Sequence, residues 1–304
     1  MITFGALVGH DPSGDPLGTA RLAEALGFDS VWVGDHVLWY VPVPDPMVML
    51  GAMAASCQRI GLGTGVLLAP LRPAVVVAKQ AATVDQLCGG RLTLGVGVGG
   101  ENPVEYAAVG VPVGERGRRL DETIAACRLL WSGEPVSYAG RHIRLENVRL
   151  DYLPARTGGP PIWVGGRSPA ALRRAGRLGD GWLAFVVTPE RYAESWSTVL
   201  REAEAGRRDP ALLTPALQLW CQLGVSEEES VALIGPEIER MYRTPYARFA
   251  PYCIAGDPEH WLRRLEQFVS AGVRHFNLIF AGGDVRLQMV QFAESVHGRA
   301  RVLA

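Results

Sequence analysis

Short apolar runs alternate with longer amphipathic stretches from one end of the chain to the other. The runs predict strands at 2–8, 30–33, 60–68, 92–96, 161–164, 181–185, 216–223 and 275–280. The stretches between them predict helices at 16–26, 46–57, 73–87, 117–131, 169–178, 189–205, 227–242 and 258–271, with a last helix at 285–296. Several of these helices begin at proline, which suits a first helical turn because the missing N–H is not needed there. Eight strand–helix units in succession predict an α/β protein of the (β/α)8 TIM-barrel class, with a doubly wound sheet as the alternative.

Four connections exceed the usual length: 37–45, 99–115, 132–159 and 243–256. The chain therefore reads as one barrel domain, 1–304, with insertions after several strands. The third insertion carries VSYAGRHIRLENVRL, whose alternation predicts a small β-hairpin. Insertions after the second, fourth and seventh strands belong on the catalytic face of a barrel.

Glycine concentrates at the ends of the predicted strands. Gly95, Gly97 and Gly100 fit G-x-G-x-x-G after a strand, but a dinucleotide site needs a helix to begin at once. A long loop is expected here instead, so Gly97, Val98 and Gly99 are read as the rim of a ligand site. Gly61, Gly63 and Gly65 alternate along the third strand. Such a row marks either tight packing or the close approach of a flat ring. Gly165, Gly166, Arg167 and Ser168 join the fifth strand to a helix starting at Pro169. Free N–H groups and the helix dipole there favour a phosphate, with Arg167 adding charge and Ser168 serving as ligand or as N-cap.

Asp35 and His36 end the second strand, in VWVGDHV. A histidine at that edge can move a proton; the alternative is a structural Asp–His pair. His10, after the first strand, has a weaker case. Glu101 follows the glycine loop and is either an acid/base group or solvated. No H-E-x-x-H and no G-x-S-x-G occurs, so metallohydrolase and serine-hydrolase readings lack support, and no metal is expected.

Composition narrows the picture further. The chain is 48% hydrophobic and 20% charged with a net charge of −1, so neither nucleic acid nor an acidic membrane surface is an expected partner. No apolar run approaches the roughly 20 residues that span a bilayer. The first strand starts almost at Met1, without a basic region and cleavage site ahead of it. Cys57, Cys88, Cys127, Cys221 and Cys253 are odd in number, scattered and free of any CxxC pair. Reduced thiols of a cytoplasmic protein are the expectation.

Five segments together resemble the bacterial luciferase-like monooxygenase family, and within it the coenzyme F420-dependent oxidoreductase branch. They are FDSVWVGDHV at 28–37, the whole of 60–100, YAAVGVPVGERGRRLDE at 106–122, LLWSGEP at 129–135 and PPIWVGGRSPAALRRAGRLGDGW at 160–182. The resemblance implies a TIM barrel with a deazaflavin or flavin at its carboxyl face. It implies a non-proline cis peptide behind the cofactor ring at Gly65–Val66, or one residue either side. It puts the cofactor phosphate at Gly165–Ser168, with Asp35 and His36 near ring and substrate. Glu101 is the nearest match to an acidic residue that donates a proton in deazaflavin sugar-phosphate dehydrogenases. The basic residues those dehydrogenases use for a sugar phosphate are not found, so that activity is not expected. The implied reaction is F420-dependent hydride transfer to or from a small organic substrate. FMN-dependent oxygen insertion is the alternative, and a non-catalytic barrel is the rival from another class. Trp39, Tyr40, Tyr246, Phe249 and Tyr252 make two loops aromatic, as an organic substrate or a dimer interface requires. A homodimer and a separate cofactor reductase are the implied partners.

Overall fold

The computed structural model describes residues 1–9 and 14–303; His10 lies outside them. Eleven strands are present among these residues: β1 (Thr3–Leu7), β2 (Ser30–Val33), β3 (Gly61–Thr64), β4 (Leu92–Val96), β5 (Val136–Ala139), β6 (Arg144–Val148), β7 (Ile162–Gly165), β8 (Gly181–Phe185), β9 (Thr214–Leu223), β10 (Ile254–Gly256) and β11 (His275–Phe280). Eight of them, β1, β2, β3, β4, β7, β8, β9 and β11, pair in parallel, and the β8–β9 and β9–β11 pairings close the ring. This is the (β/α)8 barrel that the alternation predicts. The predicted hairpin is β5–β6, antiparallel and outside the barrel. Unpredicted β10 pairs in parallel with the last three residues of β9, Cys221–Leu223.

The helices that cover the barrel are α1 (Pro16–Ala25), α2 (Pro46–Ser56), α3 (Ala74–Leu87), α4 (Pro103–Ala108), α5 (Arg116–Leu130), α6 (Pro169–Leu178), α7 (Pro189–Ala205), α8 (Glu227–Tyr242), α9 (Pro258–Ser270) and α10 (Val285–Phe292). Side-chain oxygens cap many of the starts: Asp15, Asp45, Asn102, Ser168, Thr188, Ser226, Asp257 and Asp284 each accept from an N–H of the first turn. α4 is a correction. The segment expected as a long loop after Gly100 resumes helix at Pro103, because Asn102 caps it and Pro103 fits its first position.

Strand alternation divides the core in two. Outward positions such as Val31, Val33, Ile162 and Val164 pack against the helices. Inward positions such as Leu7, Trp32, Trp163, Leu183 and Trp220 fill the barrel. Trp32 and Trp163 lie 5.2 Å apart at the barrel floor, with the His275 ring 5.6 and 5.1 Å from them. Two large indoles in one layer require small neighbours. A Cβ on Gly5 or Gly63 would come within 2.5 and 2.4 Å of Trp32, and one on Gly181 within 2.7 Å of Trp163. The alternating glycines of β3 thus serve packing at Gly63, against an indole inside the barrel rather than against a helix.

Candidate active site

β3 ends earlier than its apolar run predicts. Thr64 Oγ1 donates to Gly95 O at 2.6 Å, and the next peptide, Gly65–Val66, is cis. Pairing with β4 resumes at Leu67, whose N–H donates to Gly95 O at 2.8 Å. Val66 therefore bulges into the barrel mouth. A Cβ on Gly97 would sit 2.5 Å from Val66 Cγ2, and one on Gly165 would sit 3.0 Å from its Cγ1. Gly97, just after β4 and read from sequence as ligand rim, and Gly165, ending β7 and read as part of the phosphate turn, also make room for this bulge.

The ends of the strands surround a cleft of about 200 Å³. Every barrel strand contributes to it, through its own residues or those just after it, from Leu7 of β1 round to Ile279 of β11. Asp35, His36, Trp39, Gly65, Val66, Gly97, Val98, Gly99, Glu101, Gly165, Gly166 and Arg167 all line it, which brings together most of the residues singled out in sequence.

Asp35 has little capacity left for a ligand. Its Oδ2 accepts from Leu68 N at 2.8 Å and Arg72 Nη1 at 2.5 Å, and its Oδ1 accepts from Arg72 Nη2 at 3.0 Å. Arg72 also donates to Asp45 Oδ2 at 3.0 Å, so the network ties the segments after β2 and β3 together. Burial opposes the charge on Arg72, but the two carboxylates outweigh it and hold the guanidinium above its ordinary pKa.

His36 is held by a residue that sequence reasoning missed. Glu105, fully buried in α4, accepts from His36 Nδ1 at 3.0 Å, from Val37 N at 2.7 Å and from Leu38 N at 3.3 Å. Asn102 Nδ2 donates to Leu38 O at 3.0 Å, and Tyr106 Oη donates to Val98 O. The short helix is thereby docked between the two loops it connects chemically. The carboxylate fixes Nδ1–H on the ring and leaves Nε2 without a protein partner among the described residues. Glu101, the residue expected to act, is exposed at the cleft edge with no such hydrogen bond. The signal for Glu105 was present in N-P-V-E, an N-cap followed three residues later by glutamate.

Trp39 stacks on the His36 ring, centroids 3.7 Å apart at 15°. Tyr40 is half exposed and carries the Arg243 guanidinium 4.2 Å over its ring. Phe249 stacks behind Tyr242 at 4.8 Å, Tyr246 lines a separate cavity, and Tyr252 borders neither. Of the five aromatic residues expected over the substrate, Trp39 alone lines the cleft. Tyr242 and Trp220 supply the other aromatic walls.

At the opposite side, β7 empties into Gly165–Ser168. Gly166 adopts φ +109°, where other residues are strained, and its carbonyl accepts from Trp182 Nε1 at 2.7 Å. Ser168 is the N-cap of α6, its Oγ accepting from Ala171 N at 3.3 Å, and it does not line the cleft. The first turn of α6 carries no acidic side chain and Arg167 is exposed beside it. A glycine-rich turn, a ten-residue helix N-terminus and a free arginine are the donor set that a phosphate-bearing cofactor needs. The residues fit such a group.

Fold and cleft define a luciferase-like barrel. The chain belongs to the luciferase-like monooxygenase family, whose model matches residues 9–275. It is 30% identical to the F420-dependent glucose-6-phosphate dehydrogenase of Microbacterium testaceum, over 92% of this chain and 91% of that one. Among solved structures it superposes on an F420-dependent secondary alcohol dehydrogenase in complex with an F420–acetone adduct, with TM-score 0.86, 23% identity and 99% of each chain covered. It also superposes on the oxygenating constituent of 3,6-diketocamphane monooxygenase of Pseudomonas putida in complex with FMN, with TM-score 0.80, 15% identity and 98% of each chain covered.

Proposed function

We propose that this protein is a coenzyme F420-dependent oxidoreductase that transfers hydride between the deazaflavin and a carbon of a small organic substrate. One observation carries this reading. A histidine oriented by a buried glutamate stands in the same cleft as a glycine-lined, helix-capped anion turn. When bound, the deazaflavin supplies two-electron hydride chemistry. The chain's own residues do the rest. Gly165–Arg167 and the α6 N-terminus bind the phosphate, Val66 and the rim of Gly97–Gly99 back the ring, and the apolar walls exclude water. His36 Nε2 takes the proton from the reacting oxygen, or returns it, while Glu105 holds the ring in register. The relatives that share about 30% identity support F420 rather than FMN.

The same reading makes the whole chain one catalytic barrel. It places that barrel in a reducing cytoplasm, as its five buried free cysteines suit, working as a homodimer beside a separate cofactor reductase. No helix among the described residues is long and apolar enough to cross a membrane.

Titration of the purified chain with F420 and with FMN, followed by fluorescence, tests the proposal. F420 is expected to saturate the protein with FMN binding more weakly, and Gly166→Asp to abolish F420 binding while circular dichroism stays native. Binding of FMN alone would transfer the site to oxygen chemistry. Binding of neither would leave a non-catalytic barrel.

A further inference from the structure

Away from the cleft, a second cavity of about 250 Å³ lies between the start of α3, the flank of α5 and the β5–β6 hairpin. It shares no lining residue with the cleft that receives the cofactor. The charged side chains in its wall are Arg72, Arg119 and Arg144, joined by the ring of His142, and no carboxylate lines it among the described residues. The chain as a whole has a net charge of −1, so this concentration of one sign is local.

Several polar groups meet this space without a protein partner. Pro73, the N-cap of α3, has no side-chain oxygen to offer, and the first turn carries no acidic residue. Val76 N and Val77 N both donate to Pro73 O, which leaves Ala74 N and Val75 N without an acceptor among the described residues. Free N–H groups at the start of a fourteen-residue helix favour an anion. His142 is the second, independent mark of a ligand. Its side chain is only 9% exposed, and its Nδ1 lies 3.3 Å from Glu115 Oε2. Nε2, across the ring, has no protein partner among the described residues, and the ring lines the cavity. A polar atom enclosed in this way is normally satisfied by something. Arg119 gives Nε and Nη2 to Glu115 Oε2, each at 2.9 Å, and keeps Nη1 free. Glu115 stands behind Arg119 and His142 rather than in the wall. Arg72 is already matched by Asp35 and Asp45, whereas exposed Arg144 has no carboxylate partner among the described residues.

We propose that this cavity is a second anion site, one that takes a phosphate group, free or as the ester of a small metabolite. The donors arrive from three elements, α3, α5 and the hairpin. They surround a tetrahedral oxyanion, where a planar carboxylate would meet them on fewer sides. Ala74 N and Val75 N donate to its oxygens, and Arg144 and Arg119 Nη1 match its charge. His142 Nε2 accepts from a protonated phosphate oxygen or, as an imidazolium between Glu115 and the ligand, donates to it. The site uses no residue of the α6 turn, so it stands apart from the deazaflavin reading.

Titration calorimetry of the full-length protein, in a buffer free of other oxyanions, tests the site with inorganic phosphate and with glycerol 3-phosphate. The tighter of the two tells whether the free ion or an ester is the better occupant. Gly166→Asp removes the cofactor's own anion turn, so phosphate bound by that variant is bound elsewhere. Phosphate is expected to bind Gly166→Asp as tightly as the native chain. Arg144→Gln is expected to bind it about 10-fold or more weakly. Ala74→Pro deletes one N–H at the first helical position, where proline is tolerated, and is expected to weaken phosphate by about the same factor. Urea midpoints equal to that of the native chain check that the last two variants fold. Loss of phosphate binding in Gly166→Asp would overturn the proposal. So would unchanged binding in either of the other variants, or no saturable binding of either ligand by the native chain.

Discussion

At the scale of single residues, the pair His36–Glu105 joins two elements that lie 69 residues apart in sequence. His36 was legible because it ends an apolar strand at the ligand edge. Glu105 was not, because Glu101 stands closer to the glycine loop and the segment that forms α4 reads as loop. Four positions separate an exposed glutamate ahead of the α4 cap from a fully buried one in its first turn. The two roles predict different losses. His36→Ala removes the group that handles the proton and is expected to lower kcat by about 10²–10⁴-fold, with F420 affinity preserved. Glu105→Gln keeps the size but changes what Nδ1 meets, so kcat is expected to fall by about 10²-fold or more and the pH profile of kcat to move. Steady-state kinetics across pH separates these outcomes. An unmoved profile in Glu105→Gln would leave Glu105 as an anchor for the backbone of Val37 and Leu38 and nothing more.

At the scale of elements, the strands of the barrel were readable almost residue for residue. β2, β4, β8 and β11 coincide with their apolar runs, since nothing interrupts pairing along them. β3 does not. The run continues to Leu68, but the ladder stops at Thr64, because the cis peptide turns the chain out of register and apolar composition carries no mark of that turn. The loop at 243–256 misled in a different way. Its aromatic content was plain, but two short 3-10 turns, Tyr246–Arg248 and Ala250–Tyr252, direct those rings away from the cleft. The glycine rows were legible as close-approach sites, and the partner was not. Gly63 tests that partner. A methyl group there lands 2.4 Å from Trp32 Cε3, and Trp32 cannot retreat, being hydrogen-bonded through Nε1 to Ser30 Oγ at 2.8 Å and packed on Trp163. Gly63→Ala is expected to cost about 1–3 kcal/mol of stability, read from the urea midpoint. F420 affinity of the surviving fold should change little, because Gly63 lies one layer beneath the bulge. Weakened cofactor binding at unchanged stability would mean that the glycine row serves the ligand after all.

For the whole molecule, the barrel floor makes stability depend on pH through one histidine. His275 is buried against Trp32 and Trp163, with Thr3 Oγ1 at 2.9 Å from Nδ1 and no partner for Nε2 among the described residues. Burial holds its pKa down at about 3, against 6.5 for an ordinary histidine. The folded state therefore refuses a proton that the unfolded chain accepts. Above pH 6.5 neither state is charged and the group is neutral to stability. As pH falls from 6.5 towards 3 the unfolded chain gains a proton the barrel does not, and stability drops at about 1.4 kcal/mol per unit. His297, held down by burial and the Arg301 guanidinium, adds to the same slope. Carboxylates enter later. Glu24 and Glu122 are pushed up by burial, but three backbone N–H donors on each outweigh it and leave both below 4.5. Their contribution is present above that value and is lost only as pH falls through their lowered values. Between pH 6.5 and about 4.5 the histidines act with little interference. His275→Asn offers Thr3 a neutral partner and removes the titration, at the cost of a small void whose effect does not vary with pH. Urea unfolding at pH 7.5, 6 and 5 is expected to show a steep loss of stability in the native chain and a shallower one in the variant, the two curves converging as pH falls. Parallel curves would mean that the floor opens to water and that His275 takes its proton without unfolding the barrel.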